Sequence, residues 1–390
     1  MIEEIFCLYF FSIFVSVFVL LSLLYFLSSR DCLSSIAVAS DGSRLGGIDG
    51  LRGYLALFVF FYHLYVAFVW GETGIWIFPD EKVIAALGKI PVFIFFVITG
   101  FLFASNVIYS ERKPSWRRVY VGRFFRIQPL YIFVVMVLML FSAIATDRFE
   151  LSLRDLYSLF IWLLYWGGDN RGNFFGYDDS WLVIAGVHWT LRYEWLFYFL
   201  LPALYYLYSF NVRLFFVVIS SVMLMGSVGV SFAGLSFFYI SLFLVGVLSA
   251  SLSVRYVERI CSLISSRYGP DFLLIISLFM TIGCYLKGVS GGIQIGLLLM
   301  FVALRGGAHF FGILRWRSSI LLGEISYSIY LTHGIVLFLI YTIFDVDEWI
   351  GSYFLLAPLV TVLVILLSLS TYFSIEKRFI DIGYKIRSKI

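Results

Sequence analysis

The sequence predicts an all-α polytopic membrane protein with about 11 transmembrane helices. Three observations carry this. Of 390 residues, 62% are hydrophobic and only 13% charged, with a mean hydropathy of +0.97. Eleven apolar runs approach or exceed spanning length. The basic residues sort to alternate connecting segments. A soluble fold of this length would need roughly twice the charge, and 43 Phe, 26 Tyr and 10 Trp exclude a disordered or collagen-like chain.

The first run, Ile5 to Leu27, has 23 residues without a charge, more than the roughly 20 needed to cross about 30 Å of hydrocarbon. It is too long for a signal-peptide core and is preceded by Glu3 and Glu4 rather than a basic stretch, so a permanent span is expected. Further spans are expected at about 51–70, 90–109, 129–146, 190–209, 214–232, 236–253, 272–287, 289–304, 318–341 and 350–375. The 41 uncharged residues from Leu214 to Val254 are too many for one crossing and divide into a hairpin at Ala233 and Gly234.

Whether Leu156 to Trp166 crosses decides the orientation of everything after it. If this short run stays on one side, 21 of the 28 basic residues fall in segments facing the cytoplasm; if it crosses, that bias collapses. The amino terminus is therefore expected outside and the carboxyl terminus in the cytoplasm. Asp147 to about Val187 then forms an outer segment with an interfacial or re-entrant helix. No Pro- or Ser-rich linker or internal repeat is visible. The chain divides into an additional span (1–30), a cytoplasmic linker (31–47), one membrane domain (48–380) and a short tail (381–390), with no soluble catalytic domain appended. The four cysteines, Cys7, Cys32, Cys261 and Cys284, have no pairing or metal-ligand spacing and read as small core hydrophobes.

Ionisable groups inside spans are costly and mark functional candidates. Here they are His63, Glu194, Glu324 and His333. His63 lies 11 positions after Arg52, roughly 16 Å along a helix, which places Arg52 at the inner mouth and His63 near the midplane. An imidazole there could act as a base, or could simply bond a neighbouring helix. Glu194 enters from the outside to a similar depth and could orient His63, or pair with Arg192. Arg123 and Arg126 share one helix face at the inner boundary, where their guanidiniums could fork onto phosphates. The neighbouring basic residues from Arg112 to Arg118 need only meet anionic lipid. No histidine has metal-ligand company, no Walker-type or GxGxxG loop is present, and no nucleic-acid partner is expected.

Five segments, in order, resemble the integral-membrane acyltransferase 3 family of O-acyltransferases: IDGLRGYLALFVFFYH, KIPVFIFFVITGFLFA, VGRFFRIQPLY, HWTLRYEWLFYFLLP and LLGEISYSIYLTH. The resemblance spans about Ile48 to Ile380. Thr99 stands where Ser is usual, and Arg192 and Tyr193 replace smaller residues. The resemblance implies a ten-helix core with one added amino-terminal span, in the stand-alone form, in the bacterial inner membrane. It also implies an acyl-CoA donor, normally acetyl-CoA, reaching the site from the cytoplasm, and a glycan or lipid-linked saccharide acceptor on the outer side. His63 would be catalytic with Glu194 beside it, and Arg52, Arg123 and Arg126 would hold the donor. Tyr330 and Thr99 could stabilise an oxyanion. His333, read toward the outer face, and Trp181 among the outer aromatics could meet the acceptor. A glycan transporter or flippase is the competing class, and inverted repeats or paired broken helices would favour it.

Overall fold

The computed structural model describes residues 2–28, 46–77, 79–110, 113–167, 172–178, 180–263, 268–343 and 354–390. Cys32, nearly all of the expected linker 31–47, and residues 350–353 of the last expected span lie outside the described residues. The eleven apolar runs are occupied mainly by helix. In order these are α1 (Ile2–Ser28), α2 (Gly46–Thr73), α3 (Lys82–Phe103) and α4 (Trp116–Thr146), then the short α5 (Leu153–Leu163), α6 (Trp189–Phe210) and α7 (Val212–Ser227). They continue with α8 (Phe237–Ser251), α9 (Val254–Ser262), α10 (Gly269–Leu286), α11 (Ser290–Arg305), α12 (Arg317–Glu324), α13 (Ser326–Ile343), α14 (Ala357–Thr371) and α15 (Lys377–Arg387). By length and composition, six helices among the described residues are able to cross a membrane, or eight if two bent pairs each count as one. The 16-residue α7 and α11 span only about 24 Å apiece, and α6 carries Arg192 and Glu194. This is a helical polytopic membrane protein.

The turn read at Ala233 and Gly234 is a two-residue hairpin joining α7 to α8, with positive φ at both positions, +50° and +73°. Strands Ser231–Phe232 and Leu235–Ser236 flank it. Positive φ at both central residues is the type I′ geometry, whose twist matches that of the flanking strands. Two features depart from simple spans. The run 318–341 is broken at Ile325, where α12 and α13 meet at 69°. The run 236–253 is followed by α9 at 94° to α8, an amphipathic helix capped by Ser253 and buried only along Val257 and Cys261. The residues read as a tail from 381 continue α15, which lies along α4.

Helix α2 packs on α3, α12 and α13 at the centre, α3 against α8, and α10 against α11. The core divides in two, and α2 is the seam: Leu55 and Val59 face one cluster, Phe60, Phe61 and Leu64 the other. Helix α1 backs the second cluster, and its buried Tyr9 hydroxyl donates to the Phe61 carbonyl at 2.9 Å. Where α3 crosses α8, a Cβ on Gly100 would overlap the Phe243 carbonyl oxygen, and one on Gly246 that of Val97. In lipid, such backbone approach supplies the packing that hydrophobic attraction supplies in water. Gly100→Val is expected to lower the folded fraction on size-exclusion chromatography in detergent. Gly283→Ala, whose Cβ would meet nothing within 4 Å, should leave the elution profile unchanged.

Candidate active site

A cavity of about 530 Å³ opens between α2, α3, α4, α6 and α13. At its basic end Arg52, Arg123 and Arg126, the three arginines singled out in the sequence, line it together with Arg118 and Arg387. Farther in, its wall is made by Phe95, Thr99, Thr190, Glu194 and Tyr330. The sequence places the arginines here for a simple reason: α4 starts at Trp116, and the three-residue spacing of Arg123 and Arg126 sets both on one face. Arg387 was hidden in the apparent tail, and reaches the cavity because α15 runs along α4.

The arginines are not equivalent. Arg123 lies over the rings of Phe103 and Tyr198, 4.8 and 5.9 Å from their centroids, and Tyr198 in turn donates to Glu194. Arg126 faces three carboxylates, Glu376, Glu324 and Glu194. Arg52 pairs with Asp49 at 3.9 Å and also faces Glu324 and Glu376. Glu376 is buried on a π-helical turn, Tyr372–Glu376, and accepts from Ser328 at 2.9 Å; Glu324, at the end of α12, accepts from Tyr372 at 3.2 Å. Insertions of this kind recur at functional sites, and a second π turn, Ala104–Ile108, puts Asn106 and Val107 on the cavity wall. Ser326, first residue of α13, also lines the cavity, and its buried hydroxyl has no hydrogen-bond partner.

His63 does not line the cavity. It is buried against α13, and its Nδ1 is 3.0 Å from the Val59 carbonyl oxygen and 3.0 Å from His333 Nε2. His333 Nδ1 is 2.9 Å from the Ile329 carbonyl oxygen. The two imidazoles lie at 28° with centroids 5.0 Å apart. Tyr330 links this pair to the cavity: it forms part of the wall, its ring stands edge-on to His333 at 6.4 Å, and its hydroxyl is fixed by Thr190 at 3.0 Å and the Val187 carbonyl at 3.2 Å. On another side, Trp76 stacks on His63 at 6.3 Å and meets Trp181 edge-on at 5.9 Å. Trp181 belongs to a 3₁₀ turn, Ser180–Ile184, that packs on α13. A Cβ on Gly334 would overlap Ile184, so this turn sits backbone to backbone beside His333. The segment leading into the turn is held from α5, where Asp155 accepts from the Phe175 N–H at 2.6 Å and Trp162 donates to the Gly172 carbonyl at 2.7 Å.

Two expected placements differ. Glu194 is not among the described partners of His63; its carboxylate turns to Tyr198 and the arginines. Depth along a helix follows from residue count, whereas the direction a side chain faces depends on how the helix is rotated, and only the first was legible. His333 does not stand free toward the far end of a long span. The break at Ile325 restarts the helix, so His333 is seven residues into α13, roughly 10 Å from its start, level with His63. Trp76 and Glu376 were not singled out, the first lying in a short connection and the second at the end of an apolar run.

Residues 45–373 match the acyltransferase 3 family model, described as an acyltransferase domain. No curated protein and no solved structure matches the chain. The matched region takes in the arginine-lined cavity except for Arg387, both histidines and the broken α12–α13 helix. The chain belongs to the acyltransferase 3 family of membrane acyltransferases.

Proposed function

We propose that the protein carries an acyl group, expected to be acetyl, from cytoplasmic acetyl-CoA to a hydroxyl of a cell-surface glycan or lipid-linked saccharide on the outer side of the bacterial inner membrane. The observation that carries this reading is the cavity itself, lined by arginines and by Tyr330, whose ring stands edge-on to His333 of the buried histidine pair. Phosphates of CoA would dock at Arg123, with Arg52 and Arg126 beside it, because forked guanidiniums match phosphate oxygens. The pantetheine arm would extend along the wall of Phe95 and Thr99, with the thioester directed past Tyr330 toward His63. Trp181 and Trp76 offer flat faces suited to a sugar ring near that imidazole.

In the chemical step the acceptor hydroxyl attacks the thioester carbonyl while His63 takes its proton. The new C–O bond forms, the C–S bond breaks, and the CoA thiolate leaves and recovers the proton from the imidazolium. An acyl-histidine intermediate is the variant of the same site. Glu194 acts on the donor side in this scheme, orienting Tyr198 and Arg123, rather than through contact with His63.

The competing reading, a glycan transporter, gains one supporting feature from the break between α12 and α13. Among the described residues it has no paired partner: the other bend leads into the amphipathic α9, with Arg255, Glu258 and Arg259 on its polar side. Incubating the purified protein with acetyl-labelled acetyl-CoA separates the two. Label transferred to glycan or released as acetate is expected. Tight binding of a lipid-linked saccharide with no turnover of the thioester would favour transport.

A further inference from the structure

The geometry points to His333 as the residue that fixes the tautomer of His63 and shares its proton, leaving His63 Nε2 as the bare, reactive nitrogen. This rests on the proposed role of His63 as base. Carbonyl oxygens only accept hydrogen bonds. Ile329 O, 2.9 Å from His333 Nδ1, therefore requires a proton on that nitrogen, and Val59 O, 3.0 Å from His63 Nδ1, requires one there. In the neutral pair His333 Nε2 then carries a lone pair, and it sits 3.0 Å from His63 Nδ1, whose proton it accepts together with the Val59 carbonyl. The three contacts agree: the His63 N–H is shared between the Val59 carbonyl and the His333 lone pair, the His333 N–H goes to Ile329, and no two donors oppose each other. His63 Nε2 is left with no proton and no described protein partner.

The consequence for chemistry follows directly. When Nε2 takes the proton of the attacking hydroxyl, His63 becomes an imidazolium whose Nδ1–H already points at His333. That proton can pass to His333 Nε2, which leaves His63 neutral and His333 cationic with both N–H groups donated, one to Ile329 and one to His63. Returning it reverses the path and delivers the Nε2 proton to the departing thiolate. No carboxylate is needed beside His63, which accounts for Glu194 facing elsewhere. With both nitrogens engaged, His333 is a positioning residue and not a contact for the acceptor. The close seat of Ile184 on Gly334 and the edge of Phe60, 6.2 Å from the His333 ring centroid, hold it in this orientation.

The test reads the tautomer itself. Protein carrying ¹⁵N-labelled histidine in detergent micelles, with His63 assigned by its loss in His63→Gln, should show a protonated Nδ1 and an unprotonated Nε2 for His63 at neutral pH. His333→Gln offers an amide oxygen as acceptor but cannot take up a proton, so it should retain this signature while its turnover falls below wild type and stays above that of His333→Leu. His333→Leu offers none; the His63 signal should shift toward the other tautomer or a mixture. Turnover should fall by at least about tenfold at unchanged acetyl-CoA affinity, with a displaced acid limb in the pH profile. A wild-type His63 protonated on Nε2 would overturn the proposal, as would a His333→Leu enzyme with full turnover. Failure here is distinguishable from failure of the base assignment, because an inactive His63→Gln beside a fully active His333→Leu removes only the role of His333.

Discussion

His63→Gln is expected to lower acyl transfer by about 100-fold or more, the scale of lost general-base catalysis, while expression, thermal stability and acetyl-CoA binding stay near wild type. Glutamine retains polarity and approximate length at a buried position, and its amide can still reach a helix carbonyl. What it cannot do is accept a proton from an alcohol. Because His63 lies behind Tyr330 and outside the walls of the cavity, donor binding at the arginines should be insensitive to the change. A titration of acetyl-CoA by calorimetry and a turnover assay on the same preparation check both halves. A variant that binds the donor and still turns over at the wild-type rate would remove His63 from the chemistry.

The second large effect separates two arginines that look alike in sequence. Arg123→Ala should raise the acetyl-CoA concentration needed for half-maximal turnover by tenfold or more, since a charge-assisted contact to phosphate is worth about 1.5–3 kcal/mol, with little loss of stability. Arg126→Ala should cost stability as well, on the order of 2–4 kcal/mol, because it leaves Glu376 and Glu324 with Arg52 alone of the two cations they face. Adding Glu376→Gln to Arg126→Ala is expected to recover part of the lost melting temperature but not the donor affinity. Equal behaviour of the two single variants, with no recovery in the double variant, would mean that the carboxylates do not depend on Arg126.

Much of this arrangement was legible in the sequence because the bilayer leaves little freedom. Apolar runs of spanning length have to be helical to satisfy their backbone groups, and the described residues of the eleven runs are mainly helix, six to eight of them long and apolar enough to cross. Arg123 and Arg126 were placed on one face by spacing alone, and Ala233–Gly234 marked a turn as small residues inside an uncharged run too long for one crossing. The rest depended on what spacing does not encode. Nothing at Glu324–Ile325–Ser326 resembles a helix breaker except the preceding Gly323, whose tight seat against the Asp49 carbonyl is a tertiary contact. The bend there follows from α2 packing closely on α12 rather than from a proline. The meeting of His63 and His333, 270 residues apart, and the turn of Glu194 toward Tyr198 both depend on helix rotation. Glu376 escaped notice because a π turn, which shifts the face a residue presents, has no sequence signature.

The claim that the donor enters from the basic side and the product leaves on the other is tested most directly with sealed membrane vesicles of both orientations, prepared from the native host and supplied with acetyl-labelled acetyl-CoA in the medium. Inside-out vesicles, which present the cytoplasmic face, are expected to incorporate label into membrane-associated glycan, with the acetyl ester protected in the lumen until detergent is added. Right-side-out vesicles are expected to incorporate none unless acetyl-CoA is loaded inside, and vesicles bearing His63→Gln none in either orientation. Incorporation from the medium at equal rates in both orientations, or esters that face the same side as the donor, would contradict transfer across the membrane.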